Sequence, residues 1–89
     1  MTNSQKPIIM MQEDLPCLRD SVEVSLQRYF NQLEDHVPSN VYPLVLAEVE
    51  APLLQVVMAY AKDNQSVAAQ VLGLNRGTLR KKLKQYNIL

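Results

Sequence analysis

Between Val41 and Ala61, sixteen of 21 residues are hydrophobic, and they occupy every side of a helix instead of one stripe. A helix that is apolar all round must be buried all round. A chain of 89 residues offers little to surround it, so a second copy is expected to do so, giving an intertwined homodimer with this helix at its core. The competing arrangement is a buried central helix in a monomeric bundle. Pro43 suits the first turn. Pro52 predicts a kink, because it removes the donor for the carbonyl one turn earlier. The run is short for a membrane span, and Glu48 and Glu50 near its centre would each be costly in lipid. No membrane partner is expected.

The formal net charge of zero hides an asymmetry. Residues 1–61 hold three basic and eight acidic residues, a net of −5, whereas residues 62–89 hold six basic and one acidic, a net of +5. Five of those basic residues fall between positions 76 and 84. A basic end on an acidic chain points to a polyanion met by one face only. The bland alternative is a solvated basic helix face.

Other chemistries find little support. A lone cysteine, Cys17, excludes an internal disulfide and a Cys-based zinc site, and a single histidine, His36, excludes a His-rich metal site. No Gly-rich phosphate loop is present, and a Ser/His/Asp constellation cannot form around a single histidine, His36, which is expected in a surface loop. No basic cluster near Cys17 would activate it. The chain is therefore not expected to be an enzyme, to hold a cofactor or to act on a small-molecule substrate. Tyr29, Tyr42, Tyr60 and Tyr86 are scattered at helix-core positions, which gives poor support for base stacking on single strands. The opening lacks a charged region followed by an apolar one, so no secretory signal is expected.

The chain divides into three parts on this reading: a flexible arm over 1–17, a dimerisation core of two helices over 18–61, and a helix-turn-helix over 62–89. In the first core helix Leu18, Val22, Leu26, Tyr29, Phe30 and Leu33 recur at helical spacing, a stripe to bury against another helix. Asp20 and Glu23 lie early, where the helix dipole favours negative charge. Pro38 and Ser39-Asn40 mark the break. Asn64 is an N-cap for a helix of about residues 65–72, and Gly73 stands where a left-handed residue is wanted. Asn75 caps the next helix, about residues 76–86, in which Leu79, Leu83 and Tyr86 share one face. Arg80, Lys81 and Lys84 point away from that face, with Lys82 at the boundary.

The expected fold is all-α, a four-helix subunit ending in a helix-turn-helix. That motif needs a small residue where its helices cross, a sharp turn and an apolar wedge. Ala69, Gly73 and Leu79 meet these needs at the right spacing. The second helix would enter the major groove of double-stranded DNA with its N-terminal residues at base edges. Asn75 and Arg76 are there as candidate base contacts. Asn64, Ser66, Thr78, Arg80, Lys81 and Lys84 are the candidate backbone contacts. Each has a plainer role available. Asn64 and Asn75 serve as caps in any case, Ser66 and Thr78 suit first turns, and Lys82 can cover apolar surface with its stem. Arg76 opposes the helix dipole at a first turn, so no local-stability reason for it is visible.

The tract Asn75-Arg76-Gly77-Thr78-Leu79-Arg80-Lys81-Lys82-Leu83-Lys84 resembles the recognition helix of the Fis family (factor for inversion stimulation) of bacterial nucleoid-associated proteins. The likeness runs back through the tract from Tyr42 to Leu54 to Leu18-Arg19-Asp20-Ser21-Val22, and covers Leu18 to Tyr86. The C-terminal domains of NtrC-type activators share only the terminal part. The resemblance implies a cytoplasmic, nucleoid-located homodimer with a kinked second helix. Such a dimer bends DNA at degenerate A/T-centred sites, regulates transcription and stimulates site-specific recombination. It implies as partners double-stranded DNA, a second copy, and RNA polymerase or a recombinase. It assigns base contact to Asn75 and Arg76, and backbone contact to Asn64, Ser66, Thr78, Arg80 and Lys81.

This sequence departs from the family pattern at several places. Ser66 replaces a usual threonine, and Val67 stands where a basic residue is common. Glu23 and Gln27 stand where a basic residue would help to hold flanking DNA. The arm does not match the segment by which family members touch recombinases, so inversion stimulation is not carried over. From a different class, a non-catalytic helical module that binds an acidic protein partner would also explain the basic helix.

Overall fold

A computed structural model describes residues 17–89. The expected arm over 1–17 lies, except for Cys17, outside the described residues. Those residues form four helices, α1 (Leu18–Asn31), α2 (Val41–Tyr60), α3 (Gln65–Leu72) and α4 (Arg76–Gln85), with no strand among them. The all-α expectation is met. The helix predicted over 65–72 has those bounds, and the one predicted over 76–86 ends one residue sooner, with Tyr86 as its cap.

The chain splits into two compact units after Ser39. In the first, α1 begins beyond Cys17, carries Asp20 in its first turn and Arg28 in its last, and so matches the helix dipole at both ends. Its apolar stripe is not buried: Leu18 and Phe30 are exposed, and Val22, Leu26 and Tyr29 are half-buried.

The second unit contains the core. Leu54, Val57, Met58 and Ala61 from α2 and its end meet Ala68 and Ala69 of α3 and Leu79 and Leu83 of α4, with Leu72, Tyr86 and Ile88 packed around them. Helix α3 packs against both α2 and α4. Ala68 and Ala69 are both buried, so small side chains let α3 lie close to its neighbours. Leu79 and Leu83 have no exposed surface.

Each helix end in this unit has a local cause. Asn64 Oδ1 accepts from the Ser66 and Val67 N–H groups at 3.0 and 3.2 Å, the N-cap read from sequence. Gly73 takes φ 75° and closes α3 as a Schellman motif: its N–H donates to the Gln70 carbonyl, and that of Leu74 to the Ala69 carbonyl. Helix α4 ends the same way at Asn87, with the Ile88 N–H bonded to the Leu83 carbonyl. Helix α2 also ends so, but without glycine: Lys62 and Asp63 are left-handed in succession.

A left-handed residue with a Cβ costs roughly 1–2 kcal/mol. Gly73→Ala is therefore expected to destabilise by about that amount, although an added methyl would meet nothing within 4 Å. Lys62→Gly is expected to stabilise, by about 1 kcal/mol at most. Urea titrations followed by circular dichroism check both.

Helix α2 runs through Pro52 as one element. By length and composition it could cross a membrane, but its C-terminal half packs on α3 and α4, and Glu50 is bonded to side chains of α4. Away from that packing, Tyr42, Leu46, Val49, Leu53, Val56 and Tyr60 recur at alternating spacings of four and three. These are the spacings of a heptad seam. All but Val49 are exposed, and Tyr42 and Tyr60 are about three-quarters open. One chain thus buries one side of α2 and leaves an apolar side uncovered.

Candidate nucleic-acid interface

The N-termini of α3 and α4 are both open to solvent. Asn64, Ser66, Asn75, Arg76, Thr78, Arg80, Lys81 and Lys84, the eight residues expected to touch DNA, are all exposed. At 100° per residue, Lys81 and Lys84 fall opposite the buried ridge of Leu79 and Leu83, and Arg80 lies on its exposed flank. The apolar face that fixes α4 to its neighbours therefore aims the cationic face outward.

Three of the eight are drawn together. Asn64 caps α3 through the Ser66 N–H, and the Ser66 hydroxyl accepts from Arg76 Nη1 at 3.2 Å. The sequence offered no local partner for Arg76, and the structure supplies one. The guanidinium reaches across the turn to the first turn of α3, ten residues upstream. That bond uses one of five guanidinium donors, so a fork remains for guanine O6 and N7. It also restricts the side chain before any base is met, which reduces the entropy lost on binding.

Asn75 is partly committed as well. Its Oδ1 accepts from the Gly77 N–H at 2.7 Å, capping α4. The Nδ2 donors are left to face a base acceptor. The paired bonds to adenine that an asparagine can make would compete with this cap. Gly77 has a part that sequence reading missed. A Cβ there would stand 3.2 Å from Asn75 Oδ1, so a larger residue would push the cap aside by a few tenths of an ångström.

Lys82 is the basic residue of α4 that turns inward. It lies on the flank of the apolar ridge and donates to Glu50 Oε2 of α2 at 2.6 Å, while the Tyr86 hydroxyl donates to Glu50 Oε1 at 2.6 Å. Sequence reading treated Glu50 only as an argument against a membrane. The available signal was a pair of carboxylates, Glu48 and Glu50, in an otherwise apolar helix, since a carboxylate that is desolvated needs a cation or donors, but no period told which of the two faces the core.

The hydrogen bond from Lys82, then that from Tyr86, holds the Glu50 carboxyl below the ordinary glutamate range, against an opposing effect of burial. The same bond pushes the Tyr86 phenol up. A carboxyl lowered on folding contributes stability above its unfolded pKa, and that contribution is lost as the pH falls through the lowered value. In acid the thermal midpoint should therefore fall more steeply for the native protein than for Glu50→Gln, as melts at successive pH values would show.

No group of three or more acidic, histidine or cysteine side chains suited to a metal ion occurs among the described residues. The chemistry this surface offers is charge, hydroxyls and two amide caps at two exposed helix ends.

Residues 45–86 match the sequence profile described as bacterial regulatory protein, Fis family. A protein of Pseudomonas aeruginosa named as Fis-like and DNA-binding is 61% identical over 72 residues, which span 81% of this chain and 69% of the relative. The proteins named DNA-binding protein Fis in Proteus mirabilis and Yersinia enterocolitica are each 58% identical over 71 residues, 80% of this chain and 72% of theirs.

Proposed function

The chain belongs to the Fis family of bacterial regulatory proteins, and from that premise we propose that it acts as a homodimer that binds and bends double-stranded DNA to regulate transcription. The observation that carries this reading is the placement of α4: Asn75 and Arg76 lie exposed at its N-terminus while Leu79 and Leu83 are buried behind them. A helix so held enters a major groove end-first. Asn75 and Arg76 are the proposed base contacts. Asn64, Ser66, Thr78, Arg80, Lys81 and Lys84 are the proposed backbone contacts.

The second copy would cover the seam from Tyr42 to Tyr60 and the uncovered stripe of α1, so residues 18–61 form the proposed dimerisation core. Two α4 helices fixed by one dimer need a duplex whose successive major grooves match their separation. Where they do not match, the duplex must deform, and its deformability becomes part of what is recognised. The proposed setting is the bacterial nucleoid, with RNA polymerase or a recombinase as protein partners and no catalytic step.

Titration of a duplex at rising salt tests the reading. If Arg80, Lys81 and Lys84 of two chains each neutralise a phosphate, log affinity should fall with log salt at a slope of about −5. A flat response, or no binding at low salt, would instead favour an acidic protein as the partner of α4. Sedimentation at micromolar concentration should show a dimer, and a stable folded monomer would refute the core assignment.

A further inference from the structure

We propose that Glu50, Lys82 and Tyr86 form a clasp that fixes the angle at which α4 presents Asn75 and Arg76, making them positioning residues for sequence discrimination that touch no DNA. The inference rests on the DNA-reading role proposed above.

The apolar packing under α4 is firm but not directional. Leu79 and Leu83 against Ala68, Ala69 and the end of α2 exclude water, and small rotations or tilts of α4 would keep most of that burial. Hydrogen bonds are directional. Lys82 on α4 and Tyr86 at its C-cap stand one turn apart, and each donates to one oxygen of the same carboxylate on α2. Two bonds at separate heights on a helix oppose both rotation and tilt.

Position magnifies the effect. Arg76 lies ten residues before Tyr86, about 15 Å along the axis at the α-helical rise. A tilt of roughly 5° about the clasp would move the N-terminus by about 1 Å, beyond the tolerance of a preorganised site. Lys82 also cannot serve two partners. While it is bonded to Glu50 it neutralises no phosphate, so it should stand apart from Arg80, Lys81 and Lys84 in salt dependence.

The test uses the full chain and the variants Glu50→Gln, Lys82→Met and Tyr86→Phe. The probes are a duplex of about 30 base pairs, three helical turns, selected by the native protein from a random pool, and its scrambled counterpart. Each variant is expected to lose affinity for the selected duplex by roughly three- to tenfold, the scale of one hydrogen bond. Affinity for the scrambled duplex should hold within about twofold, because the phosphate contacts are untouched. The salt slope of Lys82→Met should equal that of the native protein.

Equal weakening on both duplexes, with a Lys82→Met slope shallower by about 1.8 (about 0.9 for each of two chains), would make Lys82 a phosphate contact and overturn the clasp. Unchanged discrimination in all three variants with lowered thermal midpoints would reduce the network to a structural bond and also overturn it. Tyr86→Phe keeps the ring and its packing, so the question stays decidable if the Glu50 variant does not fold. A native protein that selects no sequence from the pool sinks the DNA-reading role itself, an outcome distinct from failure of the clasp.

Discussion

Leu79→Ala is expected to remove most of the stability of the α2–α4 unit and DNA binding with it. Leu79 has no exposed surface and belongs to the buried cluster drawn from all three helices of that unit. Truncating a leucine in such a site removes its transfer free energy and leaves a cavity, together about 2–5 kcal/mol. Small domains retain roughly 0.05–0.15 kcal/mol per residue, and the unit from Asn40 to Leu89 has 50 residues. The loss is then comparable with its total stability. Val71→Ala, at a half-exposed position of α3, should cost under about 1 kcal/mol. Urea denaturation followed by circular dichroism compares the two. A Leu79→Ala protein as stable as the Val71 variant would mean that the core described here is not the one that holds the unit together.

Arg76→Ala is expected to cost about 1–3 kcal/mol at a selected DNA site and to relax base preference there, with little change in folding. Arg76 is exposed and its bond within the chain is one contact to Ser66, so its removal leaves the core intact. Lys84→Ala should behave differently. It should weaken all sequences alike and make the salt slope shallower by about 0.9 per lost contact. The measurement is paired titration of selected and scrambled duplexes. Unchanged discrimination in Arg76→Ala would reassign Arg76 to the turn, where its bond to Ser66 already gives it a local part. Ser66→Ala removes that bond together with a proposed backbone contact, so it should weaken both duplexes and lower discrimination between them less than Arg76→Ala does.

What could be read from sequence was set by how local its cause is. The ends of α3 and the start of α4 followed from Asn64, Gly73 and Asn75, because caps and left-handed turns depend on residues within one turn. The buried ridge of Leu79 and Leu83 followed from helical period. The two sides of α2 did not separate, since a run apolar on every face has no period to tell the Tyr42–Tyr60 seam from the side facing α3. The left-handed pair Lys62 and Asp63 carries no glycine to announce it. The partners of Glu50 lie 32 and 36 residues away, and that of Arg76 lies across a helix crossing. Such contacts arise only once helices pack, so the pattern along one helix does not contain them. Among the eight expected DNA contacts the sequence indicated exposure well. It gave Asn75 its cap but did not show that Arg76 already holds a partner of its own.

The central claim is that two copies of this chain hold a pair of α4 helices against one duplex and bend it. Energy transfer between dyes at the two ends of a selected duplex of about 30 base pairs, recorded while protein is added, tests it most directly. The account predicts that transfer rises to a plateau reached at two chains per duplex, because the ends are drawn together. Saturation at one chain per duplex, or binding with the end-to-end distance unchanged, would contradict it.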